Sequence, residues 1–253
     1  MGLDSLIGVT REIHRDRYIT ANVILLAGSH VRGTATRYSD LDLVVIFDQL
    51  PNAYRESFYA SGFPVEAFVH DPETLYFFLT ESDRPTGMAS LAQMIIEGIE
   101  VPGPSVLSTE MKALASMAYG QGPPRLTAHQ IDDIRYRITG LIDDIRDPRS
   151  HAELLATGTE LYNEVANFRL RTSGEWGAKG KSIPWRLSES DPDFAQRYVS
   201  AFETLFTLKR PADAIRLAEE IIEPFGGLHF DGYRREASPA ARKELTTIEE
   251  AGS

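Results

Sequence analysis

The chain has 253 residues, 42% hydrophobic and 25% charged, enough for one large globular domain or two smaller ones. It contains no cysteine, which excludes disulfides, thiolate nucleophiles and cysteine metal sites. A formal net charge of −11 with no dense Lys/Arg tract disfavours a nucleic-acid substrate and suits a cationic small molecule better.

The opening residues, MGLDSLIGVTREIHRDRY, lack the basic start and apolar core of a signal peptide. No apolar run approaches the roughly 20 residues of a membrane-spanning helix. The expectation is a cytoplasmic protein with no membrane partner. Leu3, Leu6, Ile7 and Ile13 recur on one helical face, with Asp4 as a cap. ANVILLAG, Ala21 to Gly28, reads as a buried strand ending at Gly-Ser, and LDLVVIF, Leu41 to Phe47, as a second. A short helix is predicted over Tyr54 to Ala60. Gly62 then punctuates, and FPVEAFV, Phe63 to Val69, makes a third strand. Helices over Pro72 to Leu79 and Met88 to Glu97 precede an extended piece at Ile99 to Val101 and the Pro/Gly boundary VPGPS.

Beyond that boundary only helices are expected. Ser108 caps one running through Met117, which GQGPP breaks. Ile131, Ile134, Ile138, Leu141, Ile142 and Ile145 keep helical spacing for about four turns. Further helices fall at Ala152 to Arg169, Asp193 to Leu208 and Pro211 to Ile222. The pattern divides the chain into an α/β domain over 1–104, a helical domain over 105–235, and a charged, disordered tail over 236–253.

Two acids interrupt the apolar strand signal. Strand alternation sends Asp40 and Asp42 to the same side, with Cα atoms about 6.6 Å apart at a rise of about 3.3 Å per residue. Leu41 and Leu43 point the other way, into a core. Carboxylates so arranged suit magnesium, which takes hard oxygen ligands together with substrate phosphates. Glu66 lies among apolar neighbours in the next strand; if the strands pair, it reaches the same cation or accepts a proton from an attacking hydroxyl. Three carboxylates holding two metals would stabilise both oxygens of an in-line phosphoryl displacement. Upstream, Gly28 lets the backbone approach a ligand, and Ser29 offers a hydroxyl and an amide to phosphate. Arg32, Thr36, Arg37 and Ser39 line the connection to Asp40.

GSHVRGTATRYSDLDL resembles the signature of the DNA polymerase β-like nucleotidyltransferase superfamily: Gly-Ser at a strand end, about ten residues, then an acidic-apolar-acidic triplet. Gly28, Ser29, Asp40 and Asp42 match it, with ten residues between Ser29 and Asp40. Gly33 to Leu43 is similar to small bacterial members, including aminoglycoside nucleotidyltransferases, and Glu66 stands where that family places its third carboxylate. The resemblance implies an α+β fold, a small mixed sheet flanked by helices followed by an all-α domain. It implies transfer of a nucleoside monophosphate from a nucleoside triphosphate, ATP in the simplest case, to a hydroxyl of a small acceptor, with pyrophosphate released. Magnesium would be held by Asp40 and Asp42, with Glu66 as ligand or base.

In the helical half, EWGAKGKSIPWRL, Glu175 to Leu187, is either a loop closing over phosphates through Lys179, Lys181 and Arg186 or a surface loop with its lysines in water. Trp176 or Trp185 would stack on a base or sugar in the first case. Asp132/Asp133 and Asp143/Asp144 fit helix exteriors, and Glu160 and Glu164 either line an acceptor pocket or face solvent. His30 and His70 have no spacing that demands metal ligation. FGGLHFDGY, Phe225 to Tyr233, reads as a glycine-ended helix with a packing role. Two other functions fit the same signature: a regulatory or antitoxin-like module that binds or modifies a protein, and a nucleotide-binding pseudoenzyme.

Overall fold

In the computed structural model of the chain, residues 2–242 are described. Helix α1 (Leu3–Arg17) buries Leu6, Val9, Thr10 and Ile13, the i, i+3, i+4, i+7 face of an amphipathic helix. Gly2 occupies the N-cap position, and Asp4 falls in the first turn. Strands β1 (Val23–Ala27), β2 (Leu41–Ile46), β3 (Tyr54–Ala60), β4 (Phe63–His70) and β5 (Ile99–Val101) form one sheet in the order β3-β4-β2-β1-β5. The β2–β4 pair is parallel and the remaining pairs are antiparallel.

Both faces of the sheet are covered, which is why its central strands read as continuous apolar runs. Ile24, Leu26, Leu41, Leu43, Val45, Val65, Ala67 and Val69 pack with the buried face of α1. The alternate residues Val23, Leu25, Ala27, Val44 and Ile46 pack with Leu75, Ile95, Met111, Ala115 and Trp176 on the other face.

Tyr54–Ala60 is a strand, not the helix its sequence was expected to form. It pairs antiparallel with β4 through the two-residue turn Ser61-Gly62, where both residues have positive φ, 48° and 85°. That is the tight turn whose twist matches the flanking strands. YRESFYA alternates exposed and half-buried residues, a period-two pattern that outweighs its charged composition.

After β4, an Asp71–Thr74 capping box starts α3 (Pro72–Phe77). A π-helical turn over Phe78–Asp83 and the short α4 (Arg84–Thr86) follow, ending at Gly87 in the left-handed region. Helix α5 (Ser90–Glu97) leads into β5, and α6 (Val106–Gly120) is capped by Ser105, not Ser108. Ser108 is the reciprocal partner in that capping box, three residues in. Helices α7 (Ala128–Arg146), α8 (His151–Thr172), α9 (Ser182–Ser190), α10 (Pro192–Leu208) and α11 (Ala212–Ile222) complete the chain. Among the described residues, no helix is long and apolar enough to cross a membrane.

The described residues divide into two compact units, 2–126 with 166–199, and 127–165 with 200–242. This division differs from a cut at residue 104. Helix α6 belongs with the sheet because Met111, Ala115 and Ala118 enter its core, and Trp176 from the later segment joins them. In the second unit, α7 buries Ile138, Ile142 and Ile145 completely. The segment after α11 lies along α7: Arg135 Nε donates to Gly227 O at 2.9 Å, and Tyr233 stacks on Tyr136 with centroids 3.9 Å apart. Tyr233 also donates its hydroxyl to Asp133. Phe225 to Tyr233 is therefore a packing segment. Of the expected disordered tail, Pro239–Ala241 forms a single 3-10 turn, and residues 243–253 lie outside the described residues.

Candidate active site

Parallel pairing of β2 and β4 places Asp42 directly opposite Glu66. Their neighbours Leu41, Leu43, Val65 and Ala67 all face the α1 core, so strand alternation turns both acids to the other side. Asp40 precedes β2 by one residue. Carboxylate oxygens of Asp40, Asp42 and Glu66 lie within 4.8 Å of one another, each residue partly buried. Burial, then the charges of Asp40 and Glu66, raise the Asp42 carboxyl to about 6, against the opposing effect of Arg32 and Lys181. Such a cluster concentrates hard oxygen donors and negative charge, the character of a divalent-cation site.

One cation is already engaged. Arg55 on β3 pairs with Glu66 and lies over the Phe68 ring at 4.9 Å. Arg55 carries no sequence signal for this role, since the composition of Tyr54 to Ala60 predicts a helix.

The chain reverses beside this cluster at α2 (Gly28–Val31), a single helical turn directly after β1. Gly28 has φ +74°, and a Cβ there would sit 1.8 Å from Asp42 Oδ2. Only glycine meets both demands. Ser29 is 6% exposed, and its hydroxyl is buried without a hydrogen-bond partner. Thr36 and Ser39 are tied to each other: the Thr36 amide donates to Ser39 Oγ at 2.9 Å, and the Ser39 amide to Thr36 O at 3.1 Å. Their hydroxyls shape the loop that delivers Asp40.

Residues 9–79 match the family of nucleotidyltransferase domains. The matched stretch runs from within α1 to the start of the π-helical turn and contains the Gly28–Ser29 turn and all three carboxylates. A solved structure, that of a nucleotidyltransferase-like protein from Exiguobacterium sibiricum 255-15, superposes with a TM-score of 0.43 at 15% identity, over 87% of this chain and 74% of that chain. No curated protein matches.

Outside the matched stretch, the segment from Glu175 to Leu187 separates into two parts. Trp176 is buried, donates to Tyr119 O at 3.0 Å and stacks on the Tyr119 ring, so it is a core residue. Trp185 is 39% exposed, with Arg186 at 4.9 Å and Arg32 at 5.8 Å from its ring. From Ser182 onward the segment is helix α9. Pro184 hid that helix in the sequence; a proline is tolerated in a first turn, where amides have no intrahelical acceptor. Lys181, the N-cap residue of α9, acts electrostatically on Asp42. Lys179, two residues earlier, is exposed, its amide donating to Ser182 Oγ. Arg186 is buried and donates to the Tyr119 hydroxyl at 3.1 Å.

Two further groups carried no sequence signal. Glu97, at the end of α5, pairs with Arg32. His70 is buried beside Phe78 and held neutral, its pKa lowered by burial to about 4. Both acquire their surroundings from tertiary packing.

Proposed function

We propose that this protein transfers a nucleoside monophosphate from a nucleoside triphosphate, with ATP the first candidate, to a hydroxyl of a small acceptor. The observation that carries the reading is the convergence of Asp40, Asp42 and Glu66 beside a buried, unpartnered Ser29 hydroxyl. The donor set fits magnesium, which would supply positive charge against the charge that develops on the phosphates. Asp40 and Asp42 would hold it, with Glu66 either as a third ligand or as the base that takes the proton from the acceptor hydroxyl. The acceptor oxygen forms a bond to the α-phosphorus, the α–β phosphoanhydride bond breaks, and pyrophosphate leaves with the bonding electrons. Ser29 hydrogen-bonds a phosphate oxygen, and Arg32 and Lys181 supply positive charge around the polyphosphate. Lys179, Thr36 and Ser39 form the outer margin of this site. An acidic surface favours a cationic, aminoglycoside-like acceptor.

A thermal-shift series with the four nucleoside triphosphates tests the binding step. Stabilisation that requires both triphosphate and magnesium is expected, about 2.7 kcal/mol at a hundred times Kd. Pyrophosphate release with pooled hydroxylated compounds then identifies the acceptor. Stabilisation by triphosphate alone, unaffected by chelation, would contradict the metal-centred reading.

A further inference from the structure

We propose that Glu97 is a positioning residue that holds the Gly28–Ser29 turn and Arg32 in the arrangement that receives a triphosphate. The inference rests on the nucleotidyl-transfer reading above and adds a part to it. Glu97 ends α5, and its side chain is 25% exposed. Its carboxylate accepts an Nη1 hydrogen of Arg32, the residue just after the last of α2.

That turn has little to hold it from within. The Arg32 amide donates to Gly28 O at 3.1 Å and the Thr34 amide to Ser29 O at 2.9 Å. A single helical turn fixes many torsions for one or two hydrogen bonds and does not persist unaided. Glu97 supplies the missing constraint from a helix that is itself anchored, since Ile95 is fully buried and Met94 nearly so.

A carboxylate beneath an anion site needs a reason, because by itself it would repel phosphate. Here burial raises the Glu97 pKa, and Arg32 and the Gly28 amide oppose that rise. Its charge is matched by the Arg32 guanidinium. A guanidinium carries five N–H donors, so engagement at Nη1 leaves others for a ligand. Arg32 continues to Trp185, 5.8 Å away, whose ring also lies 4.9 Å from Arg186, and Arg186 pairs with Glu189 at 3.3 Å. Ordering Arg32 before the ligand arrives removes a rotamer cost from binding. A bystander acid predicts the opposite sign, since removing it would relieve repulsion and tighten triphosphate binding.

The test uses the full chain with magnesium and ATP, with GTP, CTP and UTP in parallel, and reads Kd by calorimetry, KM and kcat. Glu97→Ala is expected to raise Kd and KM about tenfold while kcat stays within about twofold, the loss of one charge-assisted contact. Glu97→Gln keeps an acceptor oxygen without the charge and is expected to lose only about threefold. Ligand-free Glu97→Ala should also shift Trp185 emission, and the shift should vanish in a Trp185→Phe background. Unchanged or tighter ATP binding in Glu97→Ala, or a loss confined to kcat, overturns the proposal. If Glu97→Ala does not fold, Glu97→Gln decides alone, and wild-type affinity there overturns it. A wild-type chain that binds none of the four triphosphates removes the underlying reading and this role with it. Wild-type binding with indifferent Glu97 variants removes the role only.

Discussion

Asp42 is held where a carboxylate is least comfortable as an anion, partly buried and beside two other acids, and its pKa stands at about 6 instead of 3.8. The folded chain therefore binds this proton more tightly than the unfolded chain between those values. The contribution to stability is fully present below pH 3.8 and is lost as pH rises through about 6. At pH 7 without divalent metal, Asp42→Asn should stabilise the fold by on the order of 2 kcal/mol. The same variant should lower nucleotidyl transfer at least about a hundredfold, because even residues that only support a metal ligand cost 10–100-fold. Calorimetry in EDTA and pyrophosphate release check the two halves. A lower Tm with retained turnover would contradict both. Gly28 belongs to the same argument, since the space a Cβ would need is filled by the Asp42 carboxylate.

At the scale of elements, the strands that carry the acids were legible, and the hairpin beside them was not. Leu41 to Phe47 and Phe63 to Val69 are apolar runs whose acids stand out, and alternation alone turns Asp42 away from Leu41 and Leu43. Their pairing, and hence the convergence of Glu66 with Asp40 and Asp42, required the sheet order, which only tertiary structure supplies. Tyr54–Ala60 went unrecognised because its charged and alanine residues suit a helix, whereas Ser61-Gly62 is the signal that mattered. Gly62 at φ 85° gives that turn a measurable cost of substitution. Gly62→Ala should lower stability by about 1 kcal/mol, the cost of a left-handed L-residue. Urea denaturation checks this, and an unchanged midpoint would show that the turn relaxes to another type. Loss of the hairpin would also release Arg55 from Glu66, so the variant's metal affinity is a second reading of the same element.

Across the whole molecule, composition and charge described a chain without cysteine and with an acidic surface, and the Gly-Ser to Asp-x-Asp spacing pointed to the nucleotidyltransferase family that residues 9–79 match. The compact units were less legible. Residues 166–199 return to the unit that holds the sheet, and local patterning cannot see a return through sequence-distant contacts such as Trp176 with Tyr119. Arg32, Lys181 and Trp185 gather through that return, distributed over positions whose residue types alone say little.

The central claim is that Asp40, Asp42 and Glu66 grip a divalent cation while the Gly28–Ser29 turn holds the polyphosphate. The most direct measurement is an anomalous difference map from crystals grown with manganese and an ATP analogue that resists α–β cleavage. Manganese is expected between the Asp40 and Asp42 carboxylates, with phosphate oxygens against Ser29. Manganese bound away from these side chains, or a triphosphate seated elsewhere on the chain, would contradict it.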